Sequence, residues 1–414
     1  MSKTVYVGMS GGVDSSVTAL LLVKQGYHVV GVYMKNWSEN LPGMKCPWAE
    51  DLADAKRVAV KLGIDFIVWD FEREYREKVV EYMLREFKAG KTPNPDIMCN
   101  QEIKFKLFYK KAMAAGADFI ATGHYARIFW AGSANHTRPK HRAPEILHPG
   151  HTQGRSAELT VPSGVFQGAP LLMRAIDENK DQTYFLYRIS QEALAHTLFP
   201  IGGMKKPEVK KLAEKHGLHN AYKKESMGVC FVGEVGMKDF LKKYIETEPG
   251  EIREIENEKV LGYHEGAIFY TIGQRHGLYL NGVTGEVNDG LPYYVVKKDL
   301  KNNIVYVSKN LNSGELWTDK LKLKDVVLRG GAPEMLHLGH TQGRSAEPTV
   351  PSKAFLGTFT DHHIQVRLRH RSPLVPATFD GETLYFEQKV KRPAAGQSAV
   401  LYDGEVCLGG GIIT

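Results

Sequence analysis

Apolar and polar positions along the first 125 residues switch between two periods. Residues 4–9 form a short apolar run suited to a buried strand, and residues 13–24 carry apolar positions at helical spacing until Gly26. A second apolar run occupies 29–34. Between 49 and 62, Leu52, Ala55, Val58, Ala59 and Leu62 share one helical face, which Gly63 ends. Strands are further predicted at 66–69 and 118–122, with helices at 74–88 and 104–115 bracketing a Pro-rich loop. This order predicts an α/β fold, a mostly parallel sheet covered by helices on both faces. Ligands of such sheets bind beyond the C-terminal ends of the strands.

The pattern then changes. Residues 200–244 read as helical and basic, with Lys205, Lys206, Lys210, Lys211, Lys223 and Lys224. From about 260, short β-branched and aromatic runs at 293–296, 304–307, 364–368, 384–386 and 399–402 alternate with Gly, Asn and Asp turns. These runs predict a small antiparallel β-barrel at the C-terminus. Residues 143–163 and 332–352 are near copies that differ at three of 21 positions, while their flanks diverge. A segment rich in Pro, Gly, His, Ser and Thr cannot bury a core, so two inserted surface loops are expected. A metal site built from His148, His151, His337 and His340 is the alternative; no metal site is expected.

Composition adds limits. The 414 residues are 43% hydrophobic and 24% charged, which fits two or three globular domains. No run of eighteen apolar residues occurs, so no membrane span is expected, and the start lacks the pattern of a secretory signal. A cytoplasmic location follows as an expectation. The net charge of +7 permits a polyanionic partner without requiring one. The four cysteines, Cys46, Cys99, Cys230 and Cys407, form no Cys-x-x-Cys pair, which argues against a zinc knuckle.

The strongest chemical signal is the segment Gly8, Met9, Ser10, Gly11, Gly12, Val13, Asp14, Ser15 and Ser16, between a predicted strand and a predicted helix. Small residues let backbone N–H groups crowd around phosphate oxygens, and the helix N-terminus adds its partial positive charge. The Gly-Lys-Ser/Thr ending of a Walker loop is missing. Ser-Gly-Gly-Val-Asp-Ser instead resembles the pyrophosphate loop of enzymes that split ATP between its α- and β-phosphates and adenylate a substrate. A carboxylate beside phosphates calls for a cation, so Asp14 suggests Mg²⁺ nearby. Two cysteines are candidate nucleophiles. Cys99 ends the Pro-stiffened stretch from Thr92 through Asn94, Pro95 and Asp96, just before the predicted helix, where a thiolate is favoured. Asp96 is a candidate proton carrier. Cys230 lies in a small-residue stretch, whereas Cys46 and Cys407 are expected to be structural.

Together with Tyr33-Met34-Lys35-Asn36-Trp37, Ala121-Thr122-Gly123-His124-Tyr125, Asn179-Lys180-Asp181-Gln182, Gly228-Val229-Cys230-Phe231, Gly273-Gln274-Arg275, Gly396-Gln397-Ser398 and the run from Gly404 to Gly411, these motifs resemble those of the tRNA 2-thiouridylase (MnmA) family, in that family's order. The resemblance covers nearly the whole chain apart from the duplicated segments. It implies a pyrophosphate-loop ATP-binding catalytic domain at 1–232, with an insertion at about 132–169. A central domain would follow at 233–300, then a tRNA-binding barrel at 301–414 with an insertion at about 331–353. It further implies that Gly8 to Ser15 cradle ATP, with Met34 and Gly123 at the adenosine. Asn94, Pro95 and Asp96 would meet the target uracil. Cys230 would carry a persulfide supplied by a sulfur-donor or relay protein, and Cys99 would release its outer sulfur, leaving a transient disulfide. His124, Lys180, Asp181, Gln182, Arg369, His370 and Gln397 would touch tRNA. His370 departs from the tyrosine usual after that arginine. Wobble-uridine 2-thiolation is the function this implies, the flipped base entering a cleft between the loop domain and the barrel. The alternatives are another adenylating ligase acting on a small metabolite, or a tRNA-binding protein without catalysis.

Overall fold

A computed structural model describes residues 2–40, 48–130, 169–224, 236–278, 280, 291–310, 312, 314–329, 336–338 and 364–414. Strand β1 (Thr4–Gly8) lies between β2 (His28–Lys35) and β4 (Phe119–Thr122) in a parallel sheet, with β3 (Asp65–Asp70) beyond β2. Val5 and Val7 of β1 are fully buried, which is why a short apolar run suffices there. The hairpin of β5 (Arg127–Trp130) and β6 (Pro170–Met173) leaves this sheet, and β7 (Thr197–Leu198) completes it in the order β3-β2-β1-β4-β7. Helix Val13–Lys24 follows β1 directly, and helix Trp48–Leu62 lies between β2 and β3.

The helix predicted at 104–115 starts earlier than its periodicity indicated. It opens with Pro95–Met98, continues as a π-type stretch Cys99–Phe108 and ends with Tyr109–Ala114. Asn94 is the N-cap, its Oδ1 accepting from Asp96 N at 3.1 Å and Ile97 N at 3.4 Å, and Pro95 occupies the first helical position. Proline suits that position because its fixed φ is helical and its missing N–H costs nothing there. The two prolines that read as a stiff loop therefore also start a helix.

Four strands form a central sheet: β8 (Gly250–Glu254), β9 (Val260–His264), β10 (Tyr294–Asp299) and β11 (Ile304–Ser308), ordered β10-β11-β8-β9. The runs at 293–296 and 304–307 were expected in the C-terminal barrel. They instead pair with each other and, through β11, with β8. The reason is a shared core, since Val295, Val305 and Val307 pack with Ile252 and Leu261. A boundary at 300/301 would divide this hairpin, so β11 belongs to the central unit.

The barrel itself comprises β12 (Trp317–Leu328), β14 (Ile364–Arg367), β15 (Val375–Phe379), β16 (Thr383–Lys391), β17 (Ser398–Asp403) and β18 (Val406–Ile413), with the short β13 (Leu336–Leu338) added to β12. Antiparallel pairing runs β12-β16-β15-β14-β17-β18, and β18 pairs back to β12, closing six strands. Closure removes exposed sheet edges. The β5–β6 hairpin joins this sheet through β6 and β18, so the first domain contributes to the barrel wall. Residues 143–163 lie outside the described residues. Of 332–352, only the backbone of β13 is described, paired with β12.

A second seam holds the barrel against the Pro-rich segment. Thr92 N donates to Ala395 O at 2.8 Å, and Gln397 Nε2 donates to Thr92 O at 2.7 Å. Gly396 makes this approach possible: its φ is +90°, and a Cβ there would lie 3.0 Å from Lys91 Cβ and 3.1 Å from the Thr92 backbone. Gly396→Ala is expected to lower unfolding free energy by about 1–3 kcal/mol, checked by urea titration, because the left-handed backbone and the contact both disfavour a side chain.

Candidate active site

The loop after β1 is organised by its own hydroxyls. Ser15 Oγ donates to Gly12 O at 3.1 Å and accepts from Ser10 N at 3.2 Å, while Ser16 Oγ donates to Gly12 O at 2.9 Å. From 204 residues beyond Ser16, Asn220 Nδ2 donates to Gly11 O at 2.8 Å and lies 2.9 Å from Ser16 Oγ. Gly12 is the N-cap of Val13–Lys24 and supplies no side-chain cap, so the first N–H groups of that helix keep their capacity for an anion. Gly123, at the end of β4, lies against the loop so closely that a Cβ would sit 2.7 Å from Ser15 N. Gly8 borders Met34, whose Cε would lie 3.0 Å from a Cβ at that glycine. These residues fit a nucleotide phosphate chain.

Asp14 is held from two sides. Lys206 Nζ donates to its oxygens at 2.7 and 2.9 Å, and Tyr125 OH donates to Oδ1 at 2.9 Å. Lys206 is 8% exposed and starts helix Lys206–Lys215. Among the described residues no cluster of three or more His, Cys, Asp or Glu exists that would hold a metal by itself. The donor set therefore fits Mg²⁺ only as a companion of nucleotide phosphates, which together with water supply most of its ligands, with Asp14 as a single carboxylate. Two of the six lysines read as a basic stretch turn out to be internal partners: Lys206 to Asp14, and Lys223 to Asp51 at 2.7 Å and Asp54 at 2.5 Å. Asn220 and Lys206 carried no local motif, because their partners are remote in sequence.

Cys99 is 3% exposed, in the second helical turn after Asn94 and packed in the main apolar core. The sequence suggested a thiol at a helix N-terminus. With the helix starting at Pro95, Cys99 stands a full turn inside it, where the influence of the terminus has largely fallen away. Asp96 lies one turn before Cys99, on the same helical face. Burial raises the Asp96 carboxyl above the ordinary carboxylate range, and the charge of Lys104 partly opposes this. Asn94, Pro95 and Asp96 line a cavity of about 370 Å³ closed by Phe87, Met237 and Phe269. Its far wall is the central unit rather than the barrel. Thr92 and Thr271 hydroxyls, 3.2 Å apart, join the two walls. Cys230 and Cys46 lie outside the described residues, whereas Cys407 is fully buried with its thiol pushed up to about 11 by burial, fitting a structural role.

The residues expected at tRNA divide into two groups. Asp181 is 1% exposed and accepts from Arg367 NH1 at 2.7 Å, Thr183 Oγ1 at 2.9 Å, Thr183 N at 3.3 Å and Ala175 N at 3.2 Å. His124 is also buried, with Nδ1 2.7 Å from Thr122 Oγ1 and its ring between Phe105 and Phe199. Burial, and then Lys104, hold its imidazole well below the ordinary value, so it is neutral. Both side chains are packed inside the protein rather than exposed at its surface. Gln182 clamps Tyr125, its Oε1 accepting from Tyr125 N at 2.8 Å and its own N donating to Tyr125 O at 2.9 Å. Lys180 is half-buried and Arg369 is exposed. His370 packs its ring 4.5 Å from Phe185, and burial together with Arg371 and Arg367 lowers its pKa to about 4. A neutral ring stacked on an aromatic is how a tyrosine would also behave there. Phe185 O accepts from Asn100 Nδ2 at 3.1 Å, which ties this face to the residue after Cys99.

Sheet, loop and closed barrel define a HUP-domain protein carrying two β-rich units. Family models match in succession: tRNA methyl transferase HUP domain over residues 3–234, tRNA methyl transferase PRC-barrel domain over 238–309, and aminomethyltransferase beta-barrel domain over 349–413. Proteins named tRNA-specific 2-thiouridylase MnmA match almost end to end. Those of Listeria innocua and Bacillus licheniformis are each 41% identical, covering 99% of this chain and 94% of theirs. That of Exiguobacterium sibiricum is 40% identical, over 99% of this chain and 93% of its own. The chain belongs to the tRNA-specific 2-thiouridylase family.

Two substitutions separate the roles of this site. Asp181→Ala strands Arg367 in the interior and is expected to cost about 3–5 kcal/mol of stability in urea unfolding; a residue acting only as a tRNA contact would leave stability unchanged. Asp96→Asn should behave oppositely. Since the folded protein holds the Asp96 proton more tightly than the unfolded chain does, this group favours folding at acid pH, and that benefit is lost as pH rises through its raised value. The amide is therefore expected to preserve or raise the melting temperature at pH 7, while activity falls about 10²–10⁴-fold if the carboxyl moves a proton.

Proposed function

We propose that this protein replaces the 2-oxygen of the wobble uridine of tRNA with sulfur, at the expense of ATP. The observation that carries this reading is the cavity beside Asn94, Pro95 and Asp96, one helical turn from Cys99 and walled by the unit that follows the nucleotide-type domain. Chemistry on a base requires it to leave the stack, and this cavity suits an extruded pyrimidine. The family models carry the words methyl transferase. A phosphate-holding loop and a thiol beside the cavity serve activation and sulfur transfer, not the movement of a methyl group.

In this reading Gly8 to Ser15 and the first turn of Val13–Lys24 hold the phosphate chain of ATP, with Met34 and Gly123 at the adenosine. The uracil O2 attacks the α-phosphorus and pyrophosphate leaves, so that AMP becomes the leaving group at C2. Asp14 would be the carboxylate that meets Mg²⁺ accompanying the phosphates, and Lys206 and Tyr125 hold that carboxylate in place. Asp96 takes up or returns the proton that the uracil N3–C2–O2 system exchanges. Cys230 carries a persulfide from a donor or relay protein. Its outer sulfur displaces AMP in one of two ways: by direct attack on C2, after which the Cys99 thiolate attacks the Cys230 sulfur and breaks the S–S bond of the adduct to free the thiolated base, or as hydrosulfide released when the Cys99 thiolate attacks the inner sulfur first. Both routes end with a Cys99–Cys230 disulfide, which an external thiol must reduce before the next turnover. Because Cys99 is buried, its thiol has to become accessible before the two sulfurs can meet. Lys180, Gln182, Arg369, His370 and Gln397 form the tRNA face, with Asp181 and His124 supporting it from beneath.

The direct test combines purified protein, unmodified tRNA, Mg-ATP and a persulfide source, with 2-thiouridine read by mass spectrometry. Cys99→Ser and Cys230→Ser are each expected to abolish thiolation while ATP still binds. Full activity in either variant would refute the two-thiol assignment, and absence of 2-thiouridine with pyrophosphate release intact would refute the substrate.

A further inference from the structure

A second cavity, of about 290 Å³, lies where the turn after β6 meets the turn after β14. Arg174, Arg367 and Arg371 line it, with Glu178, Asn179 and Ser372. The three guanidinium groups come from two domains. Their carboxylate partners are Asp181, which is buried behind the cavity and paired with Arg367, and Glu178, whose contact with Arg174 is 3.4 Å long and whose side chain is 79% exposed. An exposed, long pair of that kind neutralises little. Among the described residues Arg371 makes no ion pair, so the lining keeps a surplus of positive charge. The Arg367 side chain is 6% exposed, yet its Nε has no hydrogen-bond partner among the described residues, and the same is true of Arg174 Nε, which lies 3.8 Å from Asp181. Three planar forks around one pocket match the tetrahedral oxygens of phosphate better than a single point charge would.

We propose that this cavity is a phosphate-binding subsite, separate from the pyrophosphate loop. The occupant is a phosphate of the tRNA backbone or a free phosphate ion. The first source rests on the tRNA reading above, whereas the second does not. An occupant here would touch Arg367 and so the buried Asp181, whose neighbour Gln182 clamps Tyr125 against Asp14 of the loop.

Arg371→Gln removes an exposed guanidinium and Arg174→Gln a half-buried one, so the first variant is expected to fold normally. Filter binding of unmodified tRNA is measured across a salt series for wild type and each variant. If the occupant is an RNA phosphate, affinity falls at every salt concentration and the log–log salt slope flattens by about 0.7–0.9 for the lost contact. In parallel, melting is followed in sodium phosphate against sodium chloride at matched ionic strength. If the occupant is free phosphate, phosphate raises the melting temperature of wild type and not of Arg371→Gln, and the salt slope is unchanged. Unchanged slopes together with equal melting shifts in wild type and variant overturn the subsite. Wild type that binds no tRNA even at low salt overturns the proposed function instead, and the melting series then still decides the cavity.

Discussion

A carboxylate sealed from water must be surrounded by donors, and Asp181 finds them in two domains at once. Thr183 and Ala175 supply local donors, but the countercharge is Arg367 at the end of β14 in the barrel. Tyr402 of β17 sits against both, its hydroxyl 3.1 Å from Thr183 Oγ1 and its ring under the Arg367 guanidinium. Replacing such a pair with apolar residues often costs nothing in stability, whereas leaving one member alone is expensive. The pair is therefore best understood as a docking constraint: a barrel shifted by one strand position would leave a charge buried without its partner. Because Gln182 follows Asp181 and grips Tyr125, which reaches Asp14, the same constraint fixes the loop after β1 relative to the barrel.

Two further seams act on the segment that carries Cys99. From the barrel side, Gln397 and Ala395 hold Thr92. From the central side, Thr271 meets the Thr92 hydroxyl, and Lys298 donates to Gly90 O at 2.8 Å. Lys298 is largely desolvated, its ammonium pushed down to about 8, so this contact places a cation at the C-terminal end of helix Glu81–Lys88, where the peptide dipoles favour positive charge. The 92–98 segment is thus clamped before its own helix begins. Asn94 then spends its side-chain oxygen on the cap, leaving Asp96 and Cys99 at fixed positions on a rigid element. Such preorganisation is worth more to a reaction than flexible loops bearing the same groups.

The interior of the site carries its own charge logic. Asp14 and Lys206 pair at the mouth of the loop after β1, and Asp96, without an ion pair among the described residues, is driven toward its protonated form by burial. One carboxylate is tied to a cation, and burial shifts the other toward holding a proton.

The parallel sheet, the phosphate loop and the Asn-Pro-Asp-x-x-Cys segment were legible from sequence because their signals are local: apolar period, glycine and serine spacing, proline beside a cap. The six-stranded barrel was legible in kind but not in extent, since short strands of equal texture do not reveal which core they share, and β10 and β11 joined the central one. The burial of Asp181 and Lys206 was not legible for a related reason. A polar side chain in a turn looks alike in sequence whether it faces water or a partner 186 or 192 positions away. Local order was thus written into the chain by backbone and side-chain chemistry acting within a few residues. Which charges are buried, and what pairs with them, was decided only when distant segments closed on each other and excluded water.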